Sequence, residues 1–242
     1  MNAVGGIRSH NGSMIKRCLL RHFVMTALIL GISTSFAAEY TVQYTTNAMQ
    51  LWSSPFAQPD GSSIKITNFV KPPLPSGQFT LSTWDSSNTQ YMNNFHSSRG
   101  LWIGSSTNNT ISRGQGFVLY NGTNSFPLTF TGTLSSASVI TNDLTNSLHL
   151  IGYPFLASVS ITNMNLTNNI IPYVTGHLLR TWIETSKVYR TFFYDAAGEL
   201  GGGWQDIDDP GKPTDYELKI MEGFWLHAPP GATGILWRAK AP

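Results

Sequence analysis

The chain has 242 residues, 12% charged, 41% hydrophobic and 12% aromatic, with one cysteine and a formal net charge of +2. So few charges beside so many rings exclude a disordered chain, and 22 glycines with 13 prolines are too few for a collagen-like one. One cysteine forms no internal disulfide and builds no cysteine-based zinc site by itself.

From Met14 the chain reads as a leader. Lys16, Arg17 and Arg21 are followed by the ten-residue run Phe23 to Ile32 and then by the small residues Ser33, Thr34, Ser35 and Ala37. A basic segment, a short apolar run and small residues for the peptidase predict a secretory signal peptide over 1–37, cleaved after Ala37. The run is well short of the roughly 20 residues that span a bilayer, so no transmembrane segment is expected after cleavage. Residues before Met14 read as an upstream start or an extended leader. Cleavage removes Arg8, Lys16, Arg17, Arg21 and Cys18, leaving 11 basic and 13 acidic residues, a net charge of −2 and no cysteine. The basic pI of the whole chain therefore says nothing about a partner, and nucleic acid is not expected to be one. The expected location is secreted, periplasmic or cell-surface.

Internal similarity organises the remainder. Asn47, Leu51, Pro55 and Phe56 recur as Asn146, Leu150, Pro154 and Phe155 at an offset of 99. Thr83-Trp84, Tyr91 and Phe95 recur as Thr181-Trp182, Tyr189 and Phe193 at an offset of 98. Trp102 corresponds to Trp204 after a glycine-rich insertion, Gly116-Phe117-Val118-Leu119 to Gly223-Phe224-Trp225-Leu226, and Phe130 to Trp237. Blocks in the same order predict a tandem duplication, with a first repeat over 38–145 and a second over 146–242.

Within each repeat the pattern is that of strands. Tyr40 to Tyr44 and Leu128 to Leu134 alternate every second residue. Leu178 to Ile183 and Val188 to Tyr194 flank the four-residue loop 184–187, which predicts a hairpin with Trp182 opposite Tyr189 and, in the first repeat, Trp84 opposite Tyr91. A last hairpin turning at Pro229-Pro230-Gly231 is expected to set Trp225 opposite Trp237, with Val118 opposite Phe130 as its counterpart. The segment from Leu134 to Thr145, rich in Ser, Thr and Asn, reads as the junction. No segment holds a helical apolar period. The expectation is an all-β fold of two antiparallel sandwich- or barrel-like repeats of about 97–99 residues that pack together or share a sheet.

Candidate sites are few. Rings present in both repeats, Trp84, Trp182, Trp102 and Trp204, are expected in the core; Trp225 with Trp237 is the best candidate for an exposed ligand-binding pair, the ligand being polysaccharide. Gly116 and Gly223 mark either a positive φ or close approach of another strand. Asp206, Asp208 and Asp209 are candidate calcium ligands, although the segment lacks the full EF-hand pattern. Histidines at hydrolase spacing, a GxSxG elbow and a thiol nucleophile are absent from the expected mature chain. Asp85, Glu184, Asp195, Glu199, Asp206 and Glu222 are available for a carboxylate-based glycoside hydrolase, with nothing to single out a pair.

The opening Asn-Xaa-Leu-Xaa-Xaa-Xaa-Pro-Phe, the central Thr-Trp and the closing Gly114-Gln115-Gly116-Phe117, less fully matched by Met221-Glu222-Gly223-Phe224-Trp225, resemble the repeat of a group of uncharacterised exported bacterial β-repeat proteins. The resemblance implies export and modular β architecture and brings no catalytic residues. The leading expectation is a secreted or cell-envelope interaction or structural protein without catalytic activity, whose partner is an extracellular polysaccharide or an envelope protein. A polysaccharide-binding module and a hydrolase are the rivals.

Overall fold

Alternation along β1 (Phe36–Tyr44) puts Tyr40, Val42 and Tyr44 on one face and Glu39, Thr41 and Gln43 on the other, as a strand covered on one side requires. The computed structural model describes residues 36–44, 48–71, 73–74, 79–104, 109–122, 125–144, 148–166, 177–227 and 235–242; all but the last two residues of the expected signal peptide lie outside them. The described residues fall within one compact unit, 33–242.

The chain is all-β. After β1 come β2 (Ala48–Ser53), β3 (Ile64–Lys65), the single-turn helix α1 (Ile66–Phe69) and β4 (Val70–Lys71). Then follow β5 (Phe79–Asp85), β6 (Gln90–His96), β7 (Trp102–Gly104), β8 (Thr110–Ile111), β9 (Gly116–Asn121) and β10 (Phe126–Leu134). The second half holds β11 (Val139–Leu144), β12 (Leu148–Gly152), β13 (Val159–Ser160), β14 (Leu178–Ile183), β15 (Val188–Asp195) and β16 (Gly203–Asp206). It closes with β17 (Asp209–Pro213), β18 (Glu217–Leu218), β19 (Gly223–His227) and β20 (Ile235–Lys240).

One large sheet runs β2-β9-β5-β6-β7 and the other β12-β19-β14-β15-β16-β17, so the first five strands take the same order in each. The small pairs follow suit: β3 with β8 and β13 with β18, and β1 with β10 (β4 added on its far side) and β11 with β20. Every named pairing is antiparallel, and the sheets are open, so the barrel alternative is corrected in favour of sandwiches. Closing a barrel requires the edge strands to pair, and here β2 and β7 end their sheet without meeting.

Each sandwich has its own core. Phe79, Leu81, Phe117 and Leu119 of the first large sheet meet Leu128, Phe130 and Val70 of the opposing strands, around Tyr44, Phe56 and Phe69. Leu179, Phe192, Trp204, Phe224 and Leu226 meet Leu144, Trp237 and Ala239 in the second. The hairpins β5–β6 and β14–β15 carry Trp84 opposite Tyr91 and Trp182 opposite Tyr189, at ring separations of 5.1 and 5.0 Å, as the loop length predicts.

Two expectations are overturned. β19 pairs with β12 and β14 while β20 pairs with β11, so Trp225 stands opposite Leu150 and Arg180, and Trp237 opposite Asn142. Likewise Val118 faces Leu51 and Ser82, not Phe130. The last strand of each half crosses to the other layer of its sandwich. The junction segment is also more than a connection, since its residues 139–144 form β11. Ser, Thr and Asn look loop-like by composition, but here they occupy a strand with a partner 91 to 101 residues away in register, Val139 with Lys240 and Leu144 with Ile235 among them.

Candidate functional site

The motif Gly-Phe-Val/Trp-Leu does not alternate because β9 and β19 are covered on both faces. Phe117 and Leu119 enter the first core, whereas Val118 turns the other way. There it packs with Leu51, Leu150 and Trp225, flanked by Trp84 and Trp182, in a third cluster between the two large sheets. The sheets meet without sharing a ladder. Isolated bridges join Trp52 to Glu222 and Gln115 to Ile151, and loop residues Leu156, Ile220 and Met221 of the second half pack into the core of the first.

Beside this junction lies a cleft of about 720 Å³, walled by β1 and β2 on one side and by β14, its turn and residues 216–222 on the other. Trp52, Trp182, Tyr40 and Tyr216 supply rings; Glu184, Glu217, Glu222, Gln43, Gln50 and Lys219 supply polar groups. The indole of Trp182 donates to Glu184 Oε2 at 3.0 Å, and Lys187 pairs with the other oxygen of the same carboxylate. Its counterpart Trp84 instead donates across the junction to the Leu148 carbonyl at 2.7 Å. The Trp52 indole donates to Gln50 Oε1 at 3.1 Å.

Glu222 is the most constrained acid in the cleft. Tyr216 Oη donates to its Oε1 at 2.8 Å and the Lys219 amide to its Oε2 at 2.9 Å. Burial nevertheless wins and holds the Glu222 carboxyl above the usual carboxylate range. Burial, and then the neighbouring Glu222, push the Tyr216 phenol up to about 12. The Arg190 guanidinium lies 5.2 Å from the Tyr216 ring centre and braces it from behind.

The sequence-predicted residues are placed as follows. Trp225 and Trp237 are buried, 7% and 1% exposed, so the exposed pair is corrected: Trp237 fills the second core and donates to the Met164 carbonyl at 2.8 Å, and Trp225 fills the junction. Asp206 is bound by Arg190 of the adjoining strand and caps the Asp208 amide, and Asp209 pairs with Lys212, so two of the three calcium candidates are held by basic side chains. Among the described residues no group of three or more His, Cys, Asp or Glu is arranged to hold a metal. Of the six carboxylates named from sequence, Glu184 and Glu222 line the cleft together; Asp85 caps its hairpin turn and Asp195 a glycine loop. Trp204 is in the core as expected, while Trp84 and Trp182 pack at the junction.

Sequence reasoning missed Tyr216 altogether and left Glu222 as one acid among six. Tyr216 and Glu222 meet Tyr40 and Trp52 only where the two halves touch, at sequence separations no local pattern encodes. Glu222 had a signal in the closing motif, where it precedes the junction glycine. Among the described residues no helix is long and apolar enough to cross a membrane. No family model, no curated protein and no solved structure matches this chain.

Proposed function

We propose that the protein is a non-catalytic interaction protein, exported to the cell envelope or beyond, that binds polysaccharide in the cleft between its halves. The carrying observation is the composition of that cleft: rings of Trp182, Trp52, Tyr40 and Tyr216 beside the carboxylates and amides of Glu184, Glu222, Gln43 and Gln50. A sugar offers an apolar face for stacking and hydroxyls for hydrogen bonds, and about 720 Å³ lies within the range of sites that enclose a ligand. The leader-like segment supports export, and the matching strand orders support reading the two halves as a duplicated unit.

The test is retention on a panel of neutral insoluble polysaccharides and titration with their soluble oligomers. Wild type is expected to bind at least one, and Trp182→Ala to lose it without a matching loss of stability. Failure to bind any member of the panel overturns the reading.

One observation favours a hydrolase as the second reading. Glu184 and Glu222 share the cleft, and burial favours the protonated form of Glu222, which is the form a general acid needs. Release of reducing ends by wild type and not by Glu222→Gln supports that reading; binding without release removes it.

A further inference from the structure

A second groove, of about 350 Å³, opens over the junction and is lined by Tyr91 of the first half and by Leu148, Arg180, Tyr189, Trp225 and His227 of the second. Tyr91 and Tyr189 occupy equivalent places in their hairpins and are 43% and 40% exposed. Burial against the junction, and then the nearness of Tyr189, push the Tyr91 phenol up to about 12. The groove therefore has two rings at its rim and the Trp225 edge below.

Its guanidinium and its imidazole come from the sheet. Arg180 stands directly opposite Trp225 on the adjoining strand, and His227 lies two residues further along that strand, opposite Leu178. Arg180 is exposed and its guanidinium has neither hydrogen bond nor ion pair among the described residues, unlike that of Arg190, which is committed to Asp206. None of the described residues lining the groove is Asp or Glu.

Comparison of the two halves isolates what is particular to this place. The positions that carry Arg180, Trp225 and His227 carry Ser82, Val118 and Tyr120 in the first half, each at the equivalent ladder position. An arginine, an extra ring and a histidine gathered on one side serve something only that side does.

We propose that this groove is a second binding site, for a carboxylate-bearing sugar residue of an acidic polysaccharide. The sugar ring stacks on Tyr189 and Tyr91 and the carboxylate faces Arg180, whose planar fork matches it in two parallel bonds, with His227 beside it. An isolated anion uses the arginine and leaves the rings idle; a neutral sugar uses the rings and leaves the arginine unpaired. The inference rests on the glycan reading for its ligand class, but it concerns different residues from the cleft.

Titration of the full chain with trigalacturonic acid and with the neutral galactose trimer is the test. The acid is expected to bind at least about tenfold more tightly. Arg180→Ser, which installs the first half's residue, is expected to abolish that preference with the thermal midpoint unchanged, and Tyr189→Ala to weaken binding of the acid. Tyr40→Ala, in the cleft and away from the groove, is expected to leave it intact. Equal affinity for the two trimers, or an unchanged preference in Arg180→Ser, overturns the proposal. Competition by polyglutamate or inorganic phosphate as strong as by the trimer also overturns it, since the sugar ring then contributes nothing. Neutral-glycan binding lost in Tyr40→Ala while the acid preference survives shows the two sites to be separate, so either reading fails without the other.

Discussion

The amide of Ser53 donates to the carbonyl of Met221 at 2.8 Å, and this bond ties the end of β2 to the loop ahead of β19. Gly152, the counterpart of Ser53, donates to Gly114 at 3.0 Å in the same way. The two halves thus exchange backbone bonds in both directions, and Trp52 bridges Glu222 as Ile151 bridges Gln115. So close an approach of backbones has a steric condition. A Cβ on Gly223 would lie 2.4 Å from the Trp52 carbonyl oxygen, and one on Gly116 would lie 2.7 Å from the Leu150 carbonyl carbon. Neither glycine has a positive φ, so of the two reasons for a glycine at both places in the motif, close approach is the one that operates.

Gly223→Ala is therefore expected to cost about 3 kcal/mol or more, because the obstructing atoms are backbone and the halves must separate to admit a methyl group. Gly61→Ala is the control. Its φ of +85 makes it pay the left-handed penalty, about 1–2 kcal/mol, but nothing lies within 4 Å of the new Cβ. Urea denaturation of the two variants decides the matter, and equal losses would remove the steric account of the junction.

Met221 occupies the position that Gly114 takes in the other half, with φ of +62 against +76. It is also 2% exposed and packed into the first core, so the chain keeps a strained methionine for the sake of its side chain. Both Met221→Ala and Met221→Gly should destabilise, by about 2–5 kcal/mol for the lost packing. Glycine is expected to be the milder of the two by about 1 kcal/mol, since it alone relieves the left-handed backbone. If alanine proves the milder in equilibrium unfolding, strain at this position is not stored as described.

How far the sequence reached can be seen at these same residues. The hairpin register of Trp182 and Tyr189 follows from loop length, and the all-β class from period-two alternation, because both are local rules. The pairing of β11 with β20 escaped, since Ser, Thr and Asn describe a loop and an exposed strand equally well and the partner is distant in sequence. Trp237 was mistaken for a surface ring by pairing it with Trp225 through a simple hairpin, whereas the strand crosses to the other layer and buries it. The cleft was illegible for a related reason: Tyr40, Trp182 and Glu222 each have an ordinary local setting and become a site only through the junction.

His177 contributes to the acid dependence of stability. It is fully buried, neither ring nitrogen has a hydrogen-bond partner among the described residues, and burial, then the nearby His227, push its pKa down to about 4. The unfolded chain binds this proton near the ordinary value of 6.5, so the folded state is favoured fully above that pH and loses the contribution as pH falls from 6.5 towards 4. The loss is about 2–3 kcal/mol over that window. Unfolding free energies at pH 7 and pH 4.5 should differ less in His177→Leu than in wild type. An identical slope in the two proteins would assign the acid sensitivity to other groups.

Asp195 organises the glycine-rich loop between β15 and β16. Its Oδ1 accepts the Gly198 amide at 3.0 Å and its Oδ2 those of Leu200 and Gly202 at 2.8 and 2.9 Å. Around it Gly198, Gly201, Gly202 and Gly203 all take positive φ, a path side chains would resist and one that needs an anchor. Burial works to raise the Asp195 pKa, but the amides of Leu200, Gly202 and Gly198 outweigh it and leave the carboxylate below its usual range. A depressed folded value means the anchor is in force above the unfolded pKa, about 3.9, and fails as pH drops through the folded one. Asn in place of Asp keeps one acceptor and turns an N–H₂ towards the donors. Asp195→Asn should therefore be nicked faster between 196 and 202 under limited proteolysis at neutral pH, and the wild-type loop should approach that rate only in strong acid with an acid-active protease. The bond from Gln205 Nε2 to the Gly202 carbonyl at 2.7 Å is a second, uncharged tie, so Gln205→Ala should speed nicking without conferring the acid dependence. If Asp195→Asn is cut no faster than wild type, the glycines hold their path by themselves and the carboxylate only follows them.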